Sequence, residues 1–317
     1  MRSGPSPRSK QAALLSRRDF LAQACLGVAV GSVGAVGWAP VAEAASTGSA
    51  LVGSELYGWG QYYQREGKNL SDHLDEVFGA LRDAGYDYAE GTLDVGQPEN
   101  NAHFADRLRA KGLQPVSLYT GGHLHQAEQS RAVVARILAA AKVCRDAGFR
   151  VLVCNPDPIG REKTDAELAT QAAALDDLGR GLRELGLLLG VHNHTPEMVH
   201  QAREFHYDMD HTKPRLVGLC LDVHWVYRGG LDPLQALHQY GARVVSWHLR
   251  QSRGSIWWED LDTGDVDYSA IAAYARAHHL AQRYSVELAL ENGTKITRSV
   301  VENHRRSREF IRKVFGC

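Results

Sequence analysis

The chain has 317 residues, 44% of them hydrophobic and 23% charged, with a formal net charge of −1. This is the composition of an ordinary globular protein, long enough for one large α/β domain once a leader is set aside. The balanced charge gives no general attraction to nucleic acid or to an acidic membrane surface. Its five cysteines show no C-x-x-C pairing, which argues against a zinc ribbon and a disulfide framework.

Taken in order, residues 1–44 read as an export signal. Arg2, Arg8 and Lys10 precede Ser16-Arg17-Arg18-Asp19-Phe20-Leu21, which resembles the twin-arginine translocation motif. A weakly apolar, Gly- and Ala-rich stretch follows and ends in Ala42-Glu43-Ala44, an A-x-A type cleavage site. The stretch is short and glycine-rich, so cleavage is expected rather than a stable membrane anchor. The twin-arginine machinery is then the export partner, and a periplasmic or secreted location follows. Residues 45–54 are small and polar and are expected to form a flexible linker.

From residue 55 to 317 short apolar runs alternate with amphipathic helical stretches. Strands are expected over 56–60, 86–90, 115–119, 150–154, 187–192, 217–222, 244–248 and 284–288. Helices are expected over 70–84, 104–111, 130–147, 165–185, 198–211, 233–240, 268–279 and 298–314. Gly85, Gly112, Gly148 and Gly186 each follow a helix, where glycine commonly stops one. Eight strand-then-helix units in one domain imply right-handed crossovers and a closed parallel sheet, an α/β fold of the (β/α)8 TIM barrel type. No G-x-G-x-x-G follows an early strand, which weakens an open nucleotide-binding sheet.

In such a barrel, chemistry sits at the C-terminal strand ends. Two successive apolar runs end in polar, metal-capable residues: the fifth in His192, Asn193 and His194, the sixth in Asp222, His224 and Trp225. Period-two alternation puts His192 with His194 on one face, and Asp222 with His224 on one face. His248 and Arg250 end the seventh strand, and Glu287 ends the eighth, with Glu291 beyond. The earlier ends contribute Glu90, then Tyr119, His123 and His125, then Asn155 and Asp157. A lone histidine at a strand end is more often a hydrogen-bonded structural residue. For Glu197, Glu291 and His125 that reading weighs as much as a role. Asp222, His248 and Glu287 come from three strands at equivalent places, which favours a site. Mixed imidazole and carboxylate ligands suit one divalent Mn, Co or Zn ion, or Fe, better than Ca.

NPDPIGREKTDAELATQ, GVHNHTPEM, LDVHWVYRGG, WHLRQS and YSVELALENGTK resemble the xylose isomerase-like barrel superfamily, more closely its exported branch of sugar phosphate isomerase/epimerase-like proteins. The resemblance runs from about Leu56 to Phe315. It implies a divalent ion held by a strand-five Glu, a strand-six Asp, a strand-seven His and a strand-eight Glu. The last three carry over as Asp222, His248 and Glu287, while His192 stands where many members have the strand-five Glu. The usual His-Leu-Lys-Asp ending is also changed, to His248-Leu249-Arg250-Gln251.

The expected function is a metal-dependent isomerase or epimerase of a keto sugar or related small carbohydrate. It would abstract a proton next to a carbonyl and stabilise the enediolate with the ion. Glu287 or His192 is the expected base, and His194 or His224 the acid. Glu90, Tyr119, His123, Asn155, Trp225, Arg228 and Arg250 are the expected substrate contacts. Trp247, Trp257 and Trp258 are further candidates for stacking on a sugar. Losing one glutamate keeps a lyase or dehydratase open, as elimination from a 3-keto-glycoside or an inosose. "Phosphate" carries no weight here, because no Gly-rich phosphate loop is present. Two readings of other kinds are a non-catalytic exported sugar-binding protein and an abasic-site nuclease on the same fold. The charge balance and the export signal argue against the nuclease.

Overall fold

A computed structural model describes residues 49–317, so the signal expected over 1–44 and the first part of the linker lie outside the described residues. Eight parallel strands close into a barrel. They are β1 (Leu51–Glu55), β2 (Tyr88–Thr92), β3 (Ser117–Gly122), β4 (Val151–Pro156), β5 (Leu188–His192), β6 (Gly218–Asp222), β7 (Val244–Leu249) and β10 (Arg283–Val286). Each neighbours its predecessor, and β1 closes the ring by pairing with both β10 and β2. A two-stranded antiparallel hairpin, β8 (Ser252–Arg253) and β9 (Ile256–Trp257), interrupts the order after β7. It turns through Gly254 and Ser255, both in the left-handed region.

Strands β4, β6 and β7 are buried along their whole length. That is why they read as unbroken apolar runs: barrel side chains meet them on one face and helices on the other. The outer helices are α2 (Leu74–Asp83), α3 (Glu99–Ala110), α4 (Ala127–Asp146), α5 (Asp165–Glu184), α6 (Thr195–His211), α8 (Pro233–Tyr240), α9 (Tyr268–Ala277) and α10 (Val300–Phe315). The best marked is α5, which opens in a Thr164/Glu167 capping box and is followed by Gly186 at φ 76°. Helix α6 is interrupted, with His200, Gln201 and Ala202 at φ 53°, 60° and 57°. Among the described residues no helix is long and apolar enough to cross a membrane.

Two expectations need correction. The first strand is Leu51–Glu55, while residues 56–60 open an extra helix, α1 (Leu56–Arg65), so the barrel begins inside the stretch read as a linker. The cause is packing: a Cβ on Gly53 would lie 2.2 Å from the Tyr88 ring, so β1 carries small residues where β2 supplies the bulk. Second, β6 does not continue through His224. Asp222 caps a short helix, α7 (Val223–Arg228), by accepting a hydrogen bond from Trp225 N at 2.8 Å, and strand alternation ends there.

Candidate active site

Four side chains converge at the C-terminal mouth, three carried by β5, β6 and β7 and the fourth, Glu287, immediately after β10. A ligand atom from each of His192, Asp222, His248 and Glu287 lies within 4.8 Å of the others, and all four residues are buried. His192 Nε2 is 3.7 Å from Asp222 Oδ2, and His248 Nδ1 is 3.4 Å from Glu287 Oε2. Arg250 spans the two carboxylates, its Nη2 lying 3.1 Å from Asp222 Oδ2 and 2.8 Å from Glu287 Oε2.

The imidazoles are oriented from behind. His192 Nδ1 donates to Asn155 Oδ1 at 3.1 Å, leaving Nε2 without a hydrogen-bond partner and turned toward Asp222. His248 Nε2 donates to Glu90 Oε1 at 2.7 Å, and its Nδ1 is likewise without a hydrogen bond. Glu90 is held in turn by the Ser117 and Ser285 hydroxyls. Asn193 braces the Asp222 backbone with two hydrogen bonds. Buried imidazole nitrogens with no partner beside two carboxylates fit a divalent ion such as Zn, Mn or Co, and the carboxylate–histidine pairing matches what metal-binding histidines require.

Burial pushes the Glu287 carboxyl up, but Arg250 and then His248 outweigh it and hold the group below the usual carboxylate range. Burial, helped by the charge of His248, pushes His192 well below the usual imidazole value. Burial and His192 bring His194 down to about 3. The His192 and His194 rings pack at 4.4 Å between centroids.

The mouth opens into a cavity of about 1160 Å³, whose lining includes Glu55, Tyr119, His192, His194, Trp225, His248, Arg250, Trp257 and Glu287. Several expected substrate contacts stand elsewhere. Glu90 is fully buried behind His248, and Asn155 behind His192, so both orient ring nitrogens instead of facing the cavity. His123 is exposed at the rim beside Asp157, 3.3 Å away. Arg228 pairs with Glu291 at 3.0 Å in a separate recess. His224, expected as an acid, is fully buried among the rings of Trp225, Tyr227 and Trp257, because the chain turns into α7 immediately before it. Burial and Arg250 lower it to about 4. Trp247 is buried and donates to Ala281 O, and Trp258 stacks under Arg253.

Sequence reasoning missed Glu55. It ends β1, pairs in register with Glu90 and lines the cavity. Its carboxylate accepts from Tyr57 N as the cap of α1. Burial, with Glu287 and Glu90 close by, pushes it well above the ordinary carboxylate range. The run Leu51-Val52-Gly53-Ser54-Glu55, apolar residues followed by a carboxylate, was the available signal.

Asn155→Leu is the direct test of the support behind His192. It removes the acceptor that fixes the Nδ1–H tautomer, and a loss of about 10–100-fold in divalent-metal affinity is expected by calorimetry, with the fold retained.

Buried imidazoles and carboxylates at the open end of a parallel barrel define a candidate metal-assisted site. The chain belongs to the xylose isomerase-like TIM barrel family, whose model matches residues 78–314. It is similar to an inosose dehydratase of Geobacillus kaustophilus, at 26% identity over 204 residues, covering 59% of this chain and 65% of the relative. The chain therefore spans about two thirds or less of that relative's length. A solved sugar phosphate isomerase/epimerase of Parabacteroides distasonis superimposes with a TM-score of 0.68 at 19% identity, covering 84% of this chain and 94% of that one. The IolI protein, solved with a bound zinc atom, gives a TM-score of 0.65 at 17% identity, covering 84% and 98%.

Proposed function

We propose that the chain is a metal-dependent isomerase or epimerase of a keto sugar or related small carbohydrate. The observation that carries this reading is the convergence of His192, Asp222, His248 and Glu287 on one point at the cavity floor. A divalent ion held by these residues would supply a Lewis acid for a carbonyl and its neighbouring hydroxyl oxygen. Glu287, kept charged by Arg250, removes the proton on the carbon beside the carbonyl. His194 and Glu55 line the same space and return or relay a proton at the neighbouring position. Tyr119, Trp225 and Trp257 wall the ring in and keep bulk water from the reacting carbon. An exported chain would do this in the periplasm or outside the cell.

Elimination is the second reading, and one feature favours it. His192 occupies the end of β5, so the groups around that strand end are the imidazoles of His192 and His194. With both imidazoles held neutral, the leaving oxygen takes its proton from Glu55, whose carboxyl is held well above the ordinary range by burial, Glu287 and Glu90, as Glu287 removes the proton beside the carbonyl. Similarity to an inosose dehydratase supports the same reading.

The test is to incubate the metal-supplied protein with 3-keto sugars and inososes in D₂O and follow the mixture by NMR. Deuterium beside the carbonyl in an isomerised or epimerised product supports the first reading. Release of water or of a glycosidic oxygen supports the second. Neither exchange nor product would leave a sugar-binding role and remove the catalytic one.

A further inference from the structure

The cavity is much larger than the reacting centre. At about 1160 Å³ it exceeds the ~300–1,000 Å³ usual for drug-sized ligands, and one sugar ring fills only a fraction of it. Part of its lining comes from a segment the barrel does not need. The regular helix after β1 is α2, and α1 with the turn at Leu70–His73 is inserted between them on the mouth side. Helix α1 turns Leu56, Gly60 and Gln64 toward the cavity, at i, i+4 and i+8; Leu56, Leu70, Leu74 and Phe104 form the apolar part of this wall, and Gln61, Gln64, Lys68, Asn69 and Ser71 line it beside them.

That wall is rigid. The opposite side of α1 is fastened to the barrel: Trp59 Nε1 donates to Ser54 Oγ at 3.0 Å, and Tyr62 Oη accepts from Asn303 Nδ2 at 3.0 Å. A Cβ on Gly58 would lie 2.6 Å from Leu288 O, so only glycine allows this approach of helix to strand end. Gln61 clasps Leu290, donating to its carbonyl at 3.0 Å and accepting from its amide at 2.6 Å. Gly60, by contrast, has nothing nearer than 3.7 Å to the position of a Cβ. A preformed wall holds a ligand without the cost of ordering a loop.

We infer that α1 forms a second subsite, and that the substrate is a glycoside carrying an apolar, ring-bearing aglycone beyond the reacting sugar, rather than a free monosaccharide. The inference rests on the sugar-enzyme reading above and adds the substrate class. Continuity with the four-residue centre makes the aglycone part of the substrate: Tyr57, Gly60 and Leu70 line the same cavity as Glu287 and His248. Of the polar lining, Gln61 is engaged at both ends by Leu290, Lys68 pairs with Glu66 and Asn69 accepts from Ser71 N, so Leu56, Leu70, Leu74 and Phe104 offer a face that suits an aryl ring better than a second polyhydroxylated ring.

The test compares 4-nitrophenyl glucoside with methyl glucoside by titration calorimetry on the full chain supplied with Mn²⁺, and their 3-keto forms by turnover. Wild type is expected to bind the aryl glycoside about tenfold or more tightly than the methyl one, a gain that burying one ring supplies. Gly60→Leu fills the groove, and the aryl-to-methyl ratio is expected to fall to within about twofold, while thermal melting shows the fold retained. A variant with a merely structural defect would weaken both ligands and keep their ratio. Equal affinities in wild type, or an unchanged ratio in Gly60→Leu, would overturn the inference. Turnover of small keto sugars alongside equal affinities would overturn it and leave the sugar-enzyme reading standing. No turnover of any keto sugar would overturn that reading itself.

Discussion

Glu287→Gln is expected to lower kcat by about 10²–10⁴-fold with little change in KM. Glutamine keeps the shape of the side chain but cannot accept the proton. The position is tightly held: Glu287 is 6% exposed, Arg250 Nη2 lies 2.8 Å from its Oε2, and His248 Nδ1 lies 3.4 Å from the same oxygen. An amide still fills that place, so the barrel should remain folded. The variant also loses charge from the four-residue centre. Its metal content is therefore measured in the same sample as its steady-state kinetics, which separates loss of the base from loss of the ion. A variant with normal metal content and wild-type kcat would assign proton removal to another group, and Glu55 would be the next to test.

Arg250→Met is expected to destabilise the protein by about 3–5 kcal/mol. Arg250 is 1% exposed and joins the buried carboxylates of Asp222 and Glu287. Its guanidinium lies 4.3 Å from the centre of the Trp257 ring and 5.2 Å from that of Trp225. Methionine retains much of that packing but supplies no cation, so Asp222 and Glu287 lose the positive charge between them while their burial persists. The check is the denaturant midpoint with and without added Mn²⁺. A bound divalent ion replaces part of the missing charge, so the ion should raise the variant's stability more than it raises wild type's. A midpoint equal to wild type's would contradict this account of the ion pairs.

Much of this arrangement was legible in the sequence because barrel strands carry their chemistry last. The runs ending in His192, Asp222, His248 and Glu287 could be read without knowing any contact, since equivalent strand ends in a closed parallel barrel face one mouth. The shared face of His192 and His194 followed from strand alternation, and their rings do pack together. The same rule failed for His224, because Asp222 is both the last strand residue and the cap of α7. Local capping changed the geometry within two residues. Glu55 was hidden for a different reason: Gly53 and Ser54 look like linker residues until the Tyr88 ring is seen to fill the space above Gly53. A strand whose bulk is supplied by its neighbour leaves little apolar signal of its own. Glu90 and Asn155 were recognised as polar strand-end residues. That they stand behind histidines and not before a substrate is a matter of depth along the strand, which the sequence does not encode.

Everything proposed for the site depends on His192, Asp222, His248 and Glu287 holding one divalent ion. Elemental analysis of the purified protein, beside Asp222→Ala, tests it most directly. Close to one Mn, Co or Zn ion per wild-type chain is expected, with loss of that ion in the variant. A wild-type chain that stays metal-free when supplied with each of these ions would contradict it.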